Sequence, residues 1–319
     1  MLLGILNIFE YSQFFLFLSE KLNFMLKYKL RYFLLFIVLT ISFTTYSQEN
    51  ETNTITTGPV LGKLLIIGGN ASDSIFLERF ADLAGGKNAN IVIIPTARND
   101  ADLAKDTAFK NLSNRFAKAG FSNISILHTR NKQKANNPNF TKPLASASGV
   151  WFQGGRQWRL ADAYLNTLTH LDIIGVLNRG GIVAGTSAGA TIQGSLLIRS
   201  DSKNNTILLG DHTKGLGLIK NIAIDQHLIT RNRQFDIFEI FERYPKILGI
   251  GLDENTGIIV SGNQFEVIGE SYVAIYDKTR WSAEKDTIYK LPPNSKEFYF
   301  LKKGDIYNME ERRIVLKNK

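Results

Sequence analysis

From residue 62 onward the chain alternates short, unbroken apolar runs with segments of helical spacing. GKLLIIGGN (62–70), NIVIIPTAR (90–98), SNISILHT (122–129), GVWFQGG (149–155) and GGIVAGTSAGA (180–190) read as five strands. None shows polar alternation, so each is expected to be covered on both faces. Ile75, Phe76, Phe80 and Leu83 space a helix over 73–84, and Leu103, Ala108, Leu112 and Phe116 space another over 101–119. Strands alternating with helices predict an α/β fold, a parallel sheet sandwiched by helices. After residue 195 the elements shorten, and ILGIGLDENTGIIVSGNQFEVIGESYVAIYD alternates like antiparallel strands with a turn at Gly262–Asn263. That pattern predicts a C-terminal β-rich extension. No repeat or low-complexity tract interrupts 62–319, which reads as one domain.

The segment ahead of this domain has another character. Residues 48–61 are mostly polar and aperiodic and read as a linker. Before it, Lys27, Lys29 and Arg31 precede an apolar run from Tyr32 to Phe43 and then small and polar residues up to Gln48. This is the layout of a secretory signal peptide, so residues 1–47 read as an N-terminal extension plus signal, with cleavage near Ser47–Gln48. The expected destination is the periplasm or the exterior. The apolar stretch is short for a membrane span, so no stable membrane association is expected after cleavage. Residues 1–24 lie upstream of the signal and read as a segment ahead of the natural start.

Composition narrows the chemistry. The formal charge is +9, but the basic residues are scattered rather than interleaved with aromatics along a stripe, which argues against nucleic acid and suits an acidic substrate. There is no cysteine, which excludes disulfides, thiolate zinc sites, a cysteine nucleophile and a lipidated N-terminal cysteine. No metal or organic cofactor is called for, and a homodimer stays open.

Gly185-Thr186-Ser187-Ala188-Gly189 fits the G-x-S-x-G nucleophile elbow, between the apolar IVA and the segment ATIQGSLL. Such a turn lifts the Ser187 hydroxyl off the sheet and presents the Ala188 amide to an oxyanion. A serine needs a base, and the chain has four histidines: His128, His170, His212 and His227. His227 ends the apolar strand of Ile224-Asp225-Gln226-His227, where parallel sheets assemble sites. For the carboxylate that orients the imidazole, Glu254 between two apolar strands is favoured over Asp201, and Asp253 is expected to face away from it. In FQGGRQ (152–157), Gly154 or Gly155 can offer a second oxyanion donor, and Gln157 or Arg156 can touch substrate. If the chain stays extended after His227, Arg231 and Arg233 point the same way as the histidine.

Ile67-Gly68-Gly69, Ile94-Pro95-Thr96-Ala97, Phe152-x-Gly-Gly-x-Gln157, the Ser187 elbow, Asp225-Gln226-His227 with Arg231-x-Arg233, and Gly249-Ile-Gly-Leu-Asp253-Glu254-x-Thr256 occur in that order. This order resembles the cyanophycinases, which belong to the serine peptidase family that also holds the aspartyl dipeptidases. The likeness spans residues 62 to 260. It implies a class I glutamine amidotransferase-like fold, a Ser187–His227–Glu254 triad and cleavage of β-linked aspartyl-arginine peptides; the leading reading of the chain then takes the amides of Ala188 and Gly155 as oxyanion donors. It also implies that Gln157, Asp225, Gln226, Arg231 and Arg233 line the substrate pocket. One departure stands out: Gln234, Phe235 and Asp236 lie where the cyanophycinase pattern continues with a further basic residue, and a carboxylate there repels an aspartate carboxylate. An α-aspartyl dipeptidase and a non-catalytic periplasmic binding protein are the rival readings.

Overall fold

In the computed structural model the described residues are 55–71, 74–277, 281–284, 287–290 and 298–315. The signal-peptide reading of 1–47 and most of the 48–61 linker fall outside them. The last residues of that linker are tied down: the Thr56 hydroxyl donates to the Asn221 carbonyl and the Gly58 amide to Gly262.

The first half of the domain runs β1 (Lys63–Ile67), α1 (Ser74–Ala84), β2 (Asn90–Ile94), α2 (Asp100–Leu103), α3 (Ala108–Lys118), β3 (Asn123–Ile126), α4 (Lys132–Ala135), α5 (Pro138–Ala145), β4 (Gly149–Phe152), α6 (Gln157–Tyr164), α7 (Leu168–Asn178), β5 (Ile182–Thr186) and α8 (Ala188–Thr191). The second half is β6 (Ile222–Gln226), α9 (Phe238–Arg243), β7 (Leu248–Leu252), β8 (Thr256–Ser261), β9 (Gln264–Gly269) and β10 (Val273–Tyr276). The hairpin β11 (Trp281–Glu284) and β12 (Thr287–Lys290) follows, then β13 (Tyr299–Leu301), β14 (Ile306–Asn308) and β15 (Arg313–Val315). The single helix expected over 101–119 is two, because Asn99 caps the first turn by accepting from the Asp102 amide and the chain turns again at Asp106–Thr107.

Nine strands form one sheet in the order β15–β14–β9–β8–β1–β5–β4–β2–β3. The stretch β1, β5, β4, β2, β3 is parallel, and β8 joins antiparallel on the other side of β1. The fold is therefore α/β, with helices on both faces of the sheet. Leu64 and Ile66 of β1, Val92 and Ile94 of β2, and Val150 and Phe152 of β4 enter one core; Leu65, Ile67, Ile91, Ile93 and Trp151 enter the other. Period-2 alternation thus sends consecutive apolar residues to opposite faces, which is why these strands carry no polar face. Each such fully buried Leu, Ile or Phe contributes about 2 kcal/mol of hydrophobic stabilisation.

The β-rich C-terminal part divides between two sheets. β8 and β9 form the hairpin turned at Gly262–Asn263 and extend the main sheet. A second sheet, β13–β10–β7–β6, shares the first core through Ile222, Ile224, Leu248, Ile250 and Leu252. The C-terminal ends of β1, β5, β6 and β7 meet at Gly68–Gly69. Ser187 N donates to Ile67 O at 2.9 Å, His227 N to Gly68 O at 3.1 Å, and Asn255 N to Gly69 O at 3.0 Å.

Candidate active site

The elbow conformation is set by its neighbours. Ser187 sits at φ 56, ψ −115, a sparsely populated region for a residue with a side chain. The turn is tight enough that a Cβ on Gly185 would come within 2.0 Å of Gly189 O, and one on Gly189 within 2.4 Å of Phe152 O. Small residues on both sides are therefore a steric requirement of this turn.

His227 follows β6 at φ 53 and is buried. Its Nε2 lies 2.9 Å from Ser187 Oγ, and its Nδ1 lies 2.6 Å from Glu254 Oε1. A carboxylate only accepts, so Nδ1 carries the proton and Nε2 is left as the acceptor for the serine hydroxyl. Burial holds the His227 pKa below the ordinary histidine value, while the hydrogen bond to Glu254 acts in the opposite sense. The imidazole is thus neutral near pH 7, the form that can take a proton. Asp253 and Glu254 diverge as expected. Asp253 Oδ1 accepts from the amides of Ile229 and Thr230 and from the Thr230 hydroxyl, and its Oδ2 accepts from Ser271, so it fastens the turn that follows His227.

The other candidates sit elsewhere. Asp201 is bonded to the amides of Lys203 and Asn204 in an exposed turn. His128 bonds Thr96, His170 bonds the Leu216 carbonyl, and His212 bridges Asp211 and Asp162.

A cleft of about 420 Å³ opens on Ser187, lined by Asn70, Ala71, Arg115, Gly154 and Thr186. Gly154 touches the serine: a Cβ there would lie 3.3 Å from Ser187 Cβ. Among the described residues, the amides of Gly155 and Ala188 donate to no protein acceptor. On the far side of Gly154 and Gly155 a second cleft of about 410 Å³ is lined by Arg98, Arg156 and Arg159.

Four of the residues expected to line the substrate pocket are bonded to backbone carbonyls, to Arg199 or to each other. The Gln157 side-chain amide donates to the carbonyls of Ile198 and Arg199, both at 2.8 Å. Asp225 is fully buried and accepts a bidentate pair from Arg199, from Nε and Nη2, each at 2.8 Å. Arg199 Nη2 also reaches Asp236 at 2.6 Å, so the carboxylate that departs from the cyanophycinase pattern is paired. Arg233 Nη1 donates to the Gln226 carbonyl and to Gln226 Oε1. The segment after His227 is a closed turn rather than extended: Arg231 N donates to His227 O, Arg233 N to Leu228 O, and Asn232 has φ 52. Arg231 therefore faces solvent while Arg233 is buried, and the two do not point the same way.

Residues 64–268 match the model of peptidase family S51. The chain belongs to this family. It is a serine-type peptidase. A cyanophycinase of Trichormus variabilis is 29% identical over 265 residues, covering 79% of this chain and 87% of that protein. One of Geminocystis herdmanii is 30% identical over 222 residues, covering 67% of this chain and 80% of that protein. The crystal structure of a peptidase from an acI-B1 actinobacterium shares the fold, with a TM-score of 0.59 and 22% identity over 79% of this chain and 98% of that one.

Two residues of this S51 peptidase, Arg199 and Arg115, were not singled out by sequence reasoning, and Asp253 was read only as facing away from the triad. Arg199, in LLIRSD, is an arginine inside an apolar stretch, and such a charge implies buried acidic partners. Asp253 carried the signal of Glu254, a carboxylate between apolar strands. Arg115, next to the core residue Phe116 on α3, reads in sequence as the polar edge of an amphipathic helix.

Proposed function

We propose that the chain is an exported serine exopeptidase that hydrolyses cyanophycin or related β-aspartyl-arginine peptides through Ser187, His227 and Glu254. The observation carrying this reading is the relay Ser187 Oγ–His227 Nε2 at 2.9 Å and His227 Nδ1–Glu254 Oε1 at 2.6 Å, beside an open cleft in an S51 peptidase.

In this mechanism Ser187 Oγ attacks the scissile carbonyl carbon while His227 Nε2 takes the hydroxyl proton. The charge on the carbonyl oxygen is met by the amides of Ala188 and Gly155, which bond to no acceptor among the described residues. As the tetrahedral intermediate collapses, His227 gives its proton to the leaving amine and an acyl-serine remains. Water, deprotonated by His227, then attacks the ester, and the proton returns to Ser187. Glu254 stays ionised and steadies the imidazolium formed in each half-reaction.

The β-aspartyl-arginine assignment rests on the cyanophycinase relatives and on the order of motifs shared with them, not on Arg231 and Arg233, which do not point together into the pocket. Its weak point, Asp236, is offset by Arg199, which cancels the repulsion that a lone carboxylate would exert on an aspartyl substrate. The basic, apolar and small-residue layout of 25–47 supports export, and N-terminal sequencing of protein from the native host should find Gln48 at the start. The substrate is tested by hydrolysis of the β-aspartyl-arginine polymer against a panel of α- and β-aspartyl dipeptides. Preference for the polymer is expected; exclusive cleavage of α-aspartyl dipeptides assigns the chain to the dipeptidase branch, and no cleavage of any member sinks the peptidase mechanism.

A further inference from the structure

Most of the residues that the sequence pattern singles out for the pocket have side-chain groups bonded within the protein; Arg231, which faces solvent beside His227, is the exception. Gln157 Nε2, Gln226 Oε1, Arg233 Nη1 and both oxygens of Asp225 are bonded to one another, to Arg199 or to backbone carbonyls. The cleft that opens on the serine offers a different cation, Arg115, from α3. Its Nη2 donates to the Ala71 carbonyl at 2.6 Å, which holds the guanidinium at the cleft wall, and its other donors bond to no other described residue. Among the described residues it forms no salt bridge, unlike Arg130 with Asp100 or Arg199 with Asp225. Burial also lowers its pKa with no acidic group acting against that shift. A guanidinium held at the cleft wall by a backbone carbonyl, with no counter-ion among the described residues, offers a site for an anion, and the fork geometry suits a carboxylate.

The second cleft, reached across Gly154, strengthens the same field. Arg98, Arg156 and Arg159 line it with one acid, Asp102, which is already paired with Lys105.

We infer that Arg115 binds a carboxylate of the peptide substrate in the cleft that opens on Ser187. This inference rests on Ser187 being the nucleophile.

The test compares a β-aspartyl peptide bearing a free carboxylate with the same peptide amidated at that carboxylate, in wild type, Arg115→Met and Arg115→Lys. Wild type should prefer the acid. In Arg115→Met, KM for the acid should rise about thirtyfold with kcat little changed, the size expected for losing one charge-assisted contact. The amidated peptide should lose far less, because it never used the charge. Arg115→Lys, which keeps a cation able to reach Ala71 O, should recover part of the preference, and it decides the matter if the Met variant does not fold. Equal losses on both peptides, or no loss on either, overturn the inference. Fluorophosphonate labelling of wild type separates the two readings. No label on Ser187 removes the peptidase mechanism itself, whereas a labelled Ser187 with no discrimination by Arg115 removes only the carboxylate subsite.

Discussion

Gly69 lies directly against the His227 imidazole: a Cβ at residue 69 would come within 2.3 Å of His227 Cε1 and 2.5 Å of Nδ1. The ring is held between Ser187 and Glu254 only because no side chain occupies that space. Gly69→Ala must push the imidazole off one partner, and a displacement of about 1 Å at a reacting group costs about a hundredfold in rate. A fall of that size in kcat, measured with the Tm, is the expected outcome. Wild-type kcat in Gly69→Ala contradicts the placement of His227.

Glu254 and burial act on His227 in opposite directions, which fixes a pH signature. The neutral imidazole is the active form, so activity is full above its pKa and declines as pH falls through a value below the ordinary figure of about 6.5. In Glu254→Gln the carboxylate that raised this pKa is gone, so the histidine should titrate at still lower pH, while kcat drops by about a thousandfold or more because the tautomer is no longer fixed. NMR titration of His227 checks the direction. A pKa that rises in the variant contradicts the assignment of Glu254 as its partner.

Arg199 carries the buried charges next to the site. Removing it by Arg199→Met leaves Asp225 fully buried with Arg233 at 3.8 Å as its nearest remaining cation, and should destabilise the fold by about 3 to 5 kcal/mol. Asp236→Asn, at a half-exposed carboxylate, should cost under about 1 kcal/mol. Urea denaturation of the two variants distinguishes them; equal costs contradict the ranking.

Arg231 and Arg233 should behave differently from each other. Arg233→Ala leaves Gln226 Oε1 without its partner in a buried setting and removes a second cation near Asp225, and should lower both Tm and kcat/KM. Arg231→Ala should leave Tm unchanged. Because Arg231 depresses the His227 pKa, its removal should move the acid limb of the pH profile upward. An unmoved acid limb together with an unchanged Tm would reduce Arg231 to a solvated surface charge.

The parallel strands were legible because burial on both faces leaves an unbroken apolar run, as in KLLII and NIVII. The elbow was legible because its steric demand for glycine on both sides of Ser187 is written into five consecutive residues. The turn after His227 was not: period-2 reasoning assumed an extended chain, whereas Asp253, distant in sequence, gathers the amides of Ile229 and Thr230 into a turn. The same limit applies to Arg199 and Arg115. Their significance comes from what tertiary structure places beside them, a buried Asp225 in one case and an open cleft at Ser187 in the other. The division of the C-terminal strands between two sheets was also hidden, since local alternation does not say which partner a strand pairs with.

The central claim is that Ser187 is the nucleophile, and the measurement that tests it most directly is kcat/KM of Ser187→Ala on the β-aspartyl-arginine polymer, alongside its Tm. The variant should fold like wild type and lose at least about a thousandfold, since oxyanion and binding contributions are all that remain. A folded Ser187→Ala that retains near-wild-type kcat/KM contradicts the account.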